Sequence, residues 1–454
     1  MIIFTESASS LKVWLGKSTL SAAAQLMLLR MMIAFIFHRG RMSCSQAAGM
    51  VASVPVDRSL VTRFLVRPRW QKEDANQFYR RELLRKESRL GKFVFLTDAT
   101  LVSQSGKKTQ NTHSTGNRKR RPAKGRRYNK KKIAFKNCHS FTFGLLITPS
   151  GIRIPYQTPH YTKEYCAERG IVHRTTAEAA ADMIESLPLP EGAEVIVLGD
   201  TAYDAEVIHK ACENRGYTWI VPANPERVYE GPKGHRSKLR SRLKDWNCLS
   251  LKLYRLRAST GQYAQYRRLS KWRLGPKQKP REYYAYQEKA EVRSVGYVQL
   301  VFSTMKPNLK AATPDDVKIL MTNATHMSAA EVIDLYSLRW QIELFFKELK
   351  STLGFAQYSF HNFDAVKAWV ETAITTVLFL ESLRADRMHD QRLSEERRNW
   401  WATQRLHGLC SVFRQECAAN ELNYLSDRLK TKGGVQKLKS MINAAITKEY
   451  RIGG

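Results

Sequence analysis

GKFVFLTDAT (91–100) and AEVIVLGD (193–200) are the two stretches on which the fold turns. Both are unbroken runs of Val, Ile, Leu and Phe, too short for a helix and bounded by Gly or Asp. That is the pattern of a strand buried on both faces. Asp98 closes the first run and Asp200 the second. Between them, FTFGLLIT (141–148) and IRIPYQT (152–158) read as an antiparallel pair turning at Pro149-Ser150-Gly151. TTAEAAADMIESL (175–187) reads as a capped amphipathic helix, DAEVIHKACENRG (204–216) as a helix closed by Gly216, and YTWIVP (217–222) as a further short strand. Strand, strand, strand, helix, strand, helix, strand is the order of an α/β protein with a mixed sheet covered by helices.

Working outward, residues 1–90 are helical in pattern. Within them, 43–66 gives a short helix from Ser43 or Ser45, a break at Pro55, and a second helix N-capped by Asp57. Arg58, Ser59, Thr62 and Arg63 fall on the exposed side of that second helix, the outline of a helix-turn-helix or of an ordinary helical hairpin. The core occupies 91–222 and resumes at 316–384 with the strand VKILMT (317–322) and a long helix from Ser328. Between these parts, 223–315 breaks the helix–strand rhythm. It starts basic and turn-rich and then gives strands around 262–272, 282–287 and 295–303, a β-rich insertion. Residues 385–454 read as helical and charged, with a break at Gly433-Gly434.

The chain carries 75 Lys and Arg against 41 Asp and Glu, a net charge of +34 over 454 residues. Such an excess repels itself unless a polyanion neutralises it, and nucleic acid does so with release of condensed counterions. With 43% hydrophobic residues the chain is no disordered tail. Its seven cysteines stand singly with no CxxC pair, which fits a reducing compartment and no zinc site. The apolar stretch Leu20–Phe37 holds Arg30 near its middle, which favours a buried helix over a membrane anchor. Much of the charge sits in 105–132, where Arg118, Lys119, Arg120, Arg121, Arg126 and Arg127 lie in a polar run with no apolar periodicity. This basic loop leaves the sheet just beyond Asp98, so it is placed to fold onto phosphates beside that residue, the alternative being a solvated run that only raises solubility.

The chemistry gathers on AEVIDLYSLRWQIELFFKELKSTLG (330–354). At ~100° per residue, Tyr336, Arg339, Glu343 and Lys350 share one narrow stripe, while Leu335, Leu338, Ile342, Phe345 and Leu349 form the buried face. Alone, this is a charged helix with ordinary i,i+4 pairs. Beside Asp98 and Asp200 it becomes a three-carboxylate cluster. Such a cluster needs cations, and hard divalent ions with oxygen ligands suit it.

Tyr336, Arg339, Glu343 and Lys350 match the signature Y-(2)-R-(3)-E-(6)-K. With both aspartates and the insertion before the glutamate helix, the chain resembles the DDE transposases of bacterial insertion sequences, the IS-four group and its relatives, over about residues 91–355. The resemblance implies a ribonuclease-H-like core and Mg²⁺, for which Mn²⁺ can substitute, held by Asp98, Asp200 and Glu343 as catalytic residues. It implies that Arg339 and Lys350 grip phosphates and that Tyr336 packs on the DNA backbone. Cleavage at element ends and strand transfer to target would follow, in some members through hairpin ends with a flipped base on a tryptophan of the insertion, here Trp246 or Trp272. The implied partners are double-stranded DNA, as terminal inverted repeats and as target, and a second copy of the chain in the DNA complex. No membrane is implied, and the setting would be a bacterial cytoplasm at the nucleoid. Two rivals remain open: a ribonuclease-H-like nuclease or resolvase without strand transfer, and a catalytically idle DNA-binding relative.

Overall fold

The computed structural model describes residues 6–38, 42–51, 56–67, 75–87, 89–104, 106, 108–115, 136–230, 234, 236–243, 251–257, 261–267, 280–306 and 313–450. The N-terminal helices are α1 (Ser9–Leu15), α2 (Ala22–Phe37), α3 (Cys44–Gly49), α4 (Arg58–Val66) and α5 (Ala75–Arg85). The core follows as β1 (Phe93–Ser103), β2 (His113–Thr115), β3 (Lys136–Ile147), β4 (Arg153–His160), α6 (Lys163–Arg169), α7 (Thr176–Glu185), β5 (Val195–Leu198), α8 (Glu206–Asn214) and β6 (Thr218–Pro222). Then come β7 (Val228–Glu230), β8 (Arg236–Lys238), α9 (Leu239–Arg242), β9 (Lys252–Leu256), β10 (Arg281–Val292), β11 (Gly296–Thr304) and β12 (Lys318–Thr322). The chain ends in α10 (Ala329–Ser337), α11 (Trp340–Thr352), α12 (Phe363–His389), α13 (Glu395–Thr403), α14 (Leu406–Leu429) and α15 (Gly434–Tyr450).

The first five long strands build the ribonuclease-H-like core. β1 pairs in parallel with β5, and β5 in parallel with β6. On its other side β1 pairs antiparallel with β3, and β3 antiparallel with β4. Helices cover both faces. Phe143 of β3 meets Phe345 and Phe346 of α11, while a Cβ at the adjacent Gly144 would strike Phe95 and meet Met183 of α7. Asp98 is the register partner of Phe143, so its side chain shares the α11 face.

The insertion strands do not stand apart from this sheet. β12 pairs antiparallel with β6, β11 with β12 and β10 with β11, giving one continuous sheet of twelve strands. The expected strand at 262–272 is absent from its described part, where 264–266 form a 3-10 turn. β9, unanticipated, pairs with β10 instead. The expected helix from Ser328 is broken: Leu338 and Arg339 form a tight turn, with Leu338 N–H donating to Leu335 O and Arg339 N–H to Tyr336 O. α12 runs through the expected 384/385 boundary and packs against α2, α4, α5, β4, α13 and α14.

Arg30 in the apolar α2 is fully buried and donates to Ala48 O at 2.7 Å. No helix among the described residues is long and apolar enough to cross a membrane. α3 and α4 carry the two expected caps, a Ser43–Gln46 capping box and the Asp57 side chain on Ser59 N–H. Arg58 and Arg63 are exposed on α4.

Candidate active site

β1, the turn after β5, and α11 bring the acidic residues to one place. Asp98 sits mid-strand, its Oδ1 accepting from Ala99 N–H at 2.8 Å. Asp200 follows Gly199 at the end of β5 and caps a 3-10 turn, accepting from Ala202 N–H at 2.8 Å. Gly199 is required by space, since a Cβ there would lie 2.7 Å from Cβ of Tyr203. Glu343 lies in the first turn of α11, and the guanidinium of Arg339 joins it to Asp98: Nη1 is 3.5 Å from Asp98 Oδ2, and Nη2 bonds Glu343 Oε1. Burial pushes the Asp98 carboxyl up to about 6, and the nearby charges of Asp200 and Glu343 add to this while Ala99 N–H and Arg339 oppose it. Asp98 therefore feels both of the other carboxylates.

Tyr336 is nearly buried, and burial raises its hydroxyl to about 12, with Arg339 opposing and Asp200 and Glu343 contributing. Lys350, at the far end of α11, donates to Leu101 O of β1 at 3.2 Å. The helix break leaves Arg339 in helical backbone geometry, so Tyr336, Arg339 and Glu343 stay together across it. Sequence reading missed Lys318 at the start of β12. Its ammonium lies 4.9 Å over the Tyr336 ring, and it interacts electrostatically with Arg339, Glu343 and Asp200. Nothing in the strand pattern VKILMT distinguishes that lysine from a surface one.

A cavity of about 460 Å³ opens beside this cluster, bounded by Arg281, Tyr283, Lys306, Lys318, Tyr336, Arg339 and Trp340. Trp340 is 56% exposed. Its place next to Arg339, off the apolar face of the helix, was the available signal for an aromatic at the site. Trp246 and Trp272, and the basic-loop residues Arg118, Lys119, Arg120, Arg121, Arg126 and Arg127, lie outside the described residues.

The donor chemistry suits a hard divalent cation: three carboxylates face two cationic side chains, Arg339 and Lys318, leaving negative charge in surplus. Yet among the described residues no three His, Cys, Asp or Glu groups are arranged to hold a metal ion jointly. Arg339 already lies between Asp98 and Glu343.

Residues 171–379 match the transposase DDE domain. The matched segment holds Asp200, Tyr336, Arg339, Glu343 and Lys350, and begins after Asp98. The match covers less than half of the chain and is a likeness of that segment to the transposase DDE domain. No curated protein matches the chain.

Proposed function

We propose that the chain is the transposase of a bacterial insertion sequence, of the IS-four type, working in the cytoplasm at the nucleoid. It would cleave DNA at the element's terminal inverted repeats and join the freed 3′ ends to target DNA. The observation that carries this reading is the meeting of Asp98 and Glu343 through Arg339, from strands and a helix far apart in sequence, beside Asp200. Asp98, Asp200 and Glu343 would together hold a pair of Mg²⁺ ions. When bound, such a pair supplies Lewis-acid stabilisation to the attacking and leaving oxygens of an in-line displacement.

The chain's own residues do the positioning. Arg339 offers a fork and Lys350 a point charge to the phosphates flanking the scissile bond. Lys318 holds the Tyr336 ring from one side, so the phenol presents a fixed face to the DNA backbone. Hairpin ends are the proposed route, with Trp246 or Trp272 of the insertion stacking a flipped base. A dimer on DNA would bring two ends together. Arg58 and Arg63 would meet DNA from α4, and the 105–132 loop would meet phosphates near Asp98.

The test is to take duplexes from the flanks of the coding region and incubate them with the full chain, Mg²⁺ and a target plasmid. Joined products are expected. Cleavage without joining would favour a nuclease or resolvase, and no cleavage of any flank would favour an idle DNA-binding relative.

A further inference from the structure

Arg339 stands where a cation is wanted. Its two terminal nitrogens are divided between Asp98 and Glu343, and its guanidinium supplies the positive charge that the pair lacks. The same residue also borders the cavity formed with Arg281, Lys306 and Lys318. Asp316 also lines that cavity and neutralises Lys306 at 2.6 Å, which leaves Arg281, Lys318 and Arg339 as its surplus cations. Arg339 therefore lies on the boundary between an acidic site and a net cationic chamber. Its backbone position favours a change of partner. Arg339 is at the junction of α10 and α11, where the tight turn ends one helix and starts the next; its guanidinium caps neither helix and also reaches the Tyr336 hydroxyl beside the cavity. A guanidinium prefers a phosphate presented in its plane, which it can grip with two parallel bonds. Moving it from the carboxylates to such a phosphate would leave Asp98 without the cation it now faces and Glu343 with Lys318 alone, and a divalent ion restores the balance.

We propose that Arg339 is the built-in counter-ion of Asp98 and Glu343, and that divalent metal gains the site when a DNA phosphate in the adjoining chamber draws the guanidinium away. This rests on the carboxylate site proposed above and adds an order of events: DNA and metal each promote the other's binding. By linkage the two enhancements are equal, and couplings of this kind are about 5–150-fold. A transposase so built loads metal on DNA and stays idle off it.

The experiment is a Mn²⁺ titration of the metal-stripped, full-length chain, with free Mn²⁺ read by electron paramagnetic resonance. Off DNA, Arg339→Gln is expected to bind Mn²⁺ about 10-fold more tightly than the parent chain. Adding Glu343→Gln to that variant should abolish the gain. A short mixed-sequence duplex, its own Mn²⁺ subtracted, should tighten binding by the parent chain and leave Arg339→Gln nearly unchanged. If Arg339→Gln fails to melt cooperatively, Arg339→Lys serves instead. It keeps a charge but loses the fork, and should show part of the gain and part of the DNA dependence. Equal Mn²⁺ affinity in parent and Arg339 variants, with Glu343→Gln still weakening both, overturns the counter-ion role while leaving the metal site standing. Mn²⁺ binding indifferent to Glu343→Gln in every arm overturns both.

Discussion

α11 carries two clusters of charge that obey opposite rules. Near its start, Asp98, Asp200 and Glu343 face Arg339 and Lys318 at a half-buried edge with negative charge to spare. One turn further on, Glu348 enters a sealed cluster. Arg153 Nη2 lies 2.9 Å from Glu348, and Arg153 Nε lies 3.4 Å from Glu381. Arg384 pairs with Glu381 at 3.1 Å and donates to Gly151 O at 2.7 Å. Three arginines meet two glutamates, since Arg405 Nε also lies 3.8 Å from Glu348, and Glu381 and Arg384 have no exposure. In this cluster every charge has a partner, and water has no access to Glu381 and Arg384, so it holds α11, α12 and β4 in place. The open cluster is unbalanced and accessible, the condition under which a site still has something to bind. Carboxylates in surplus at an open edge, rather than charge as such, separate the candidate site from the buried cluster.

Four changes probe that contrast, beginning with the largest effect. Glu343→Gln keeps the shape of the side chain and removes a charge that a metal needs. The rate of DNA cleavage in Mg²⁺ should fall on the order of 10³-fold while the melting temperature holds, and near-parental cleavage would falsify the three-carboxylate site. Glu381→Gln should do the reverse: it leaves the buried Arg384 without its carboxylate and Arg153 with Glu348 alone, and should cost about 3–5 kcal/mol of stability in denaturant unfolding. A loss below about 1 kcal/mol would mean that the sealed cluster is not sealed.

The third change addresses the basic loop. Replacing Arg118, Lys119, Arg120 and Arg121 together by Gln should lower the slope of log affinity against log salt by roughly 3–4, if each neutralises a phosphate. The measurement is duplex binding at several salt concentrations, and an unchanged slope returns those residues to the role of solubilising tail. The smallest effect has the most telling sign. Asp98→Asn should stabilise the metal-free protein at neutral pH, by about 1 kcal/mol once solvent screening is allowed for. In the fold this carboxyl titrates near 6, above its ordinary range, so folding takes up a proton between the two values. Stability conferred by Asp98 is thus greatest at low pH and declines as pH rises through about 6. The advantage of the Asn variant should accordingly vanish below about pH 4. Denaturant unfolding at pH 4 and pH 8 reads this directly, and destabilisation at pH 8 would remove the claim of surplus negative charge.

How much of this was legible in sequence varied with the distance over which each feature is determined. The core strands were readable because a buried strand writes its burial into consecutive residues: Phe93–Leu96 and Val195–Leu198 are apolar throughout. The caps at Ser43, Asp57, Thr175 and Ser328 were readable for the same local reason. The break at Leu338 was not, since Leu335, Leu338 and Ile342 keep helical spacing straight across it. Nor was the place of β11 and β10 in the main sheet, because strand pairing is a non-local choice that alternation cannot encode. The Arg153–Glu381 pair unites residues 228 positions apart and leaves no local mark. Asp200 and Glu343 were found through a strand end and a spaced motif, and Asp98 through an apolar run that closes on it although the strand itself continues to Ser103, whereas Lys318 needed the Tyr336 ring beside it.

α12 is dry on nearly every side along its 27 residues, with Val366, Trp369, Val370, Ala373, Ile374, Val377, Leu378 and Leu380 all buried. A rod of that length spans ~40 Å, and it is clasped by the N-terminal helices, by β4 and by α13 and α14 together. Anyone hoping to graft a different leading segment onto this protein therefore faces a shared wall rather than a seam. Deleting α1–α5 would bare an oily groove on the remainder, inviting self-association. A successful chimera would have to exchange α12 along with the helices it shelters.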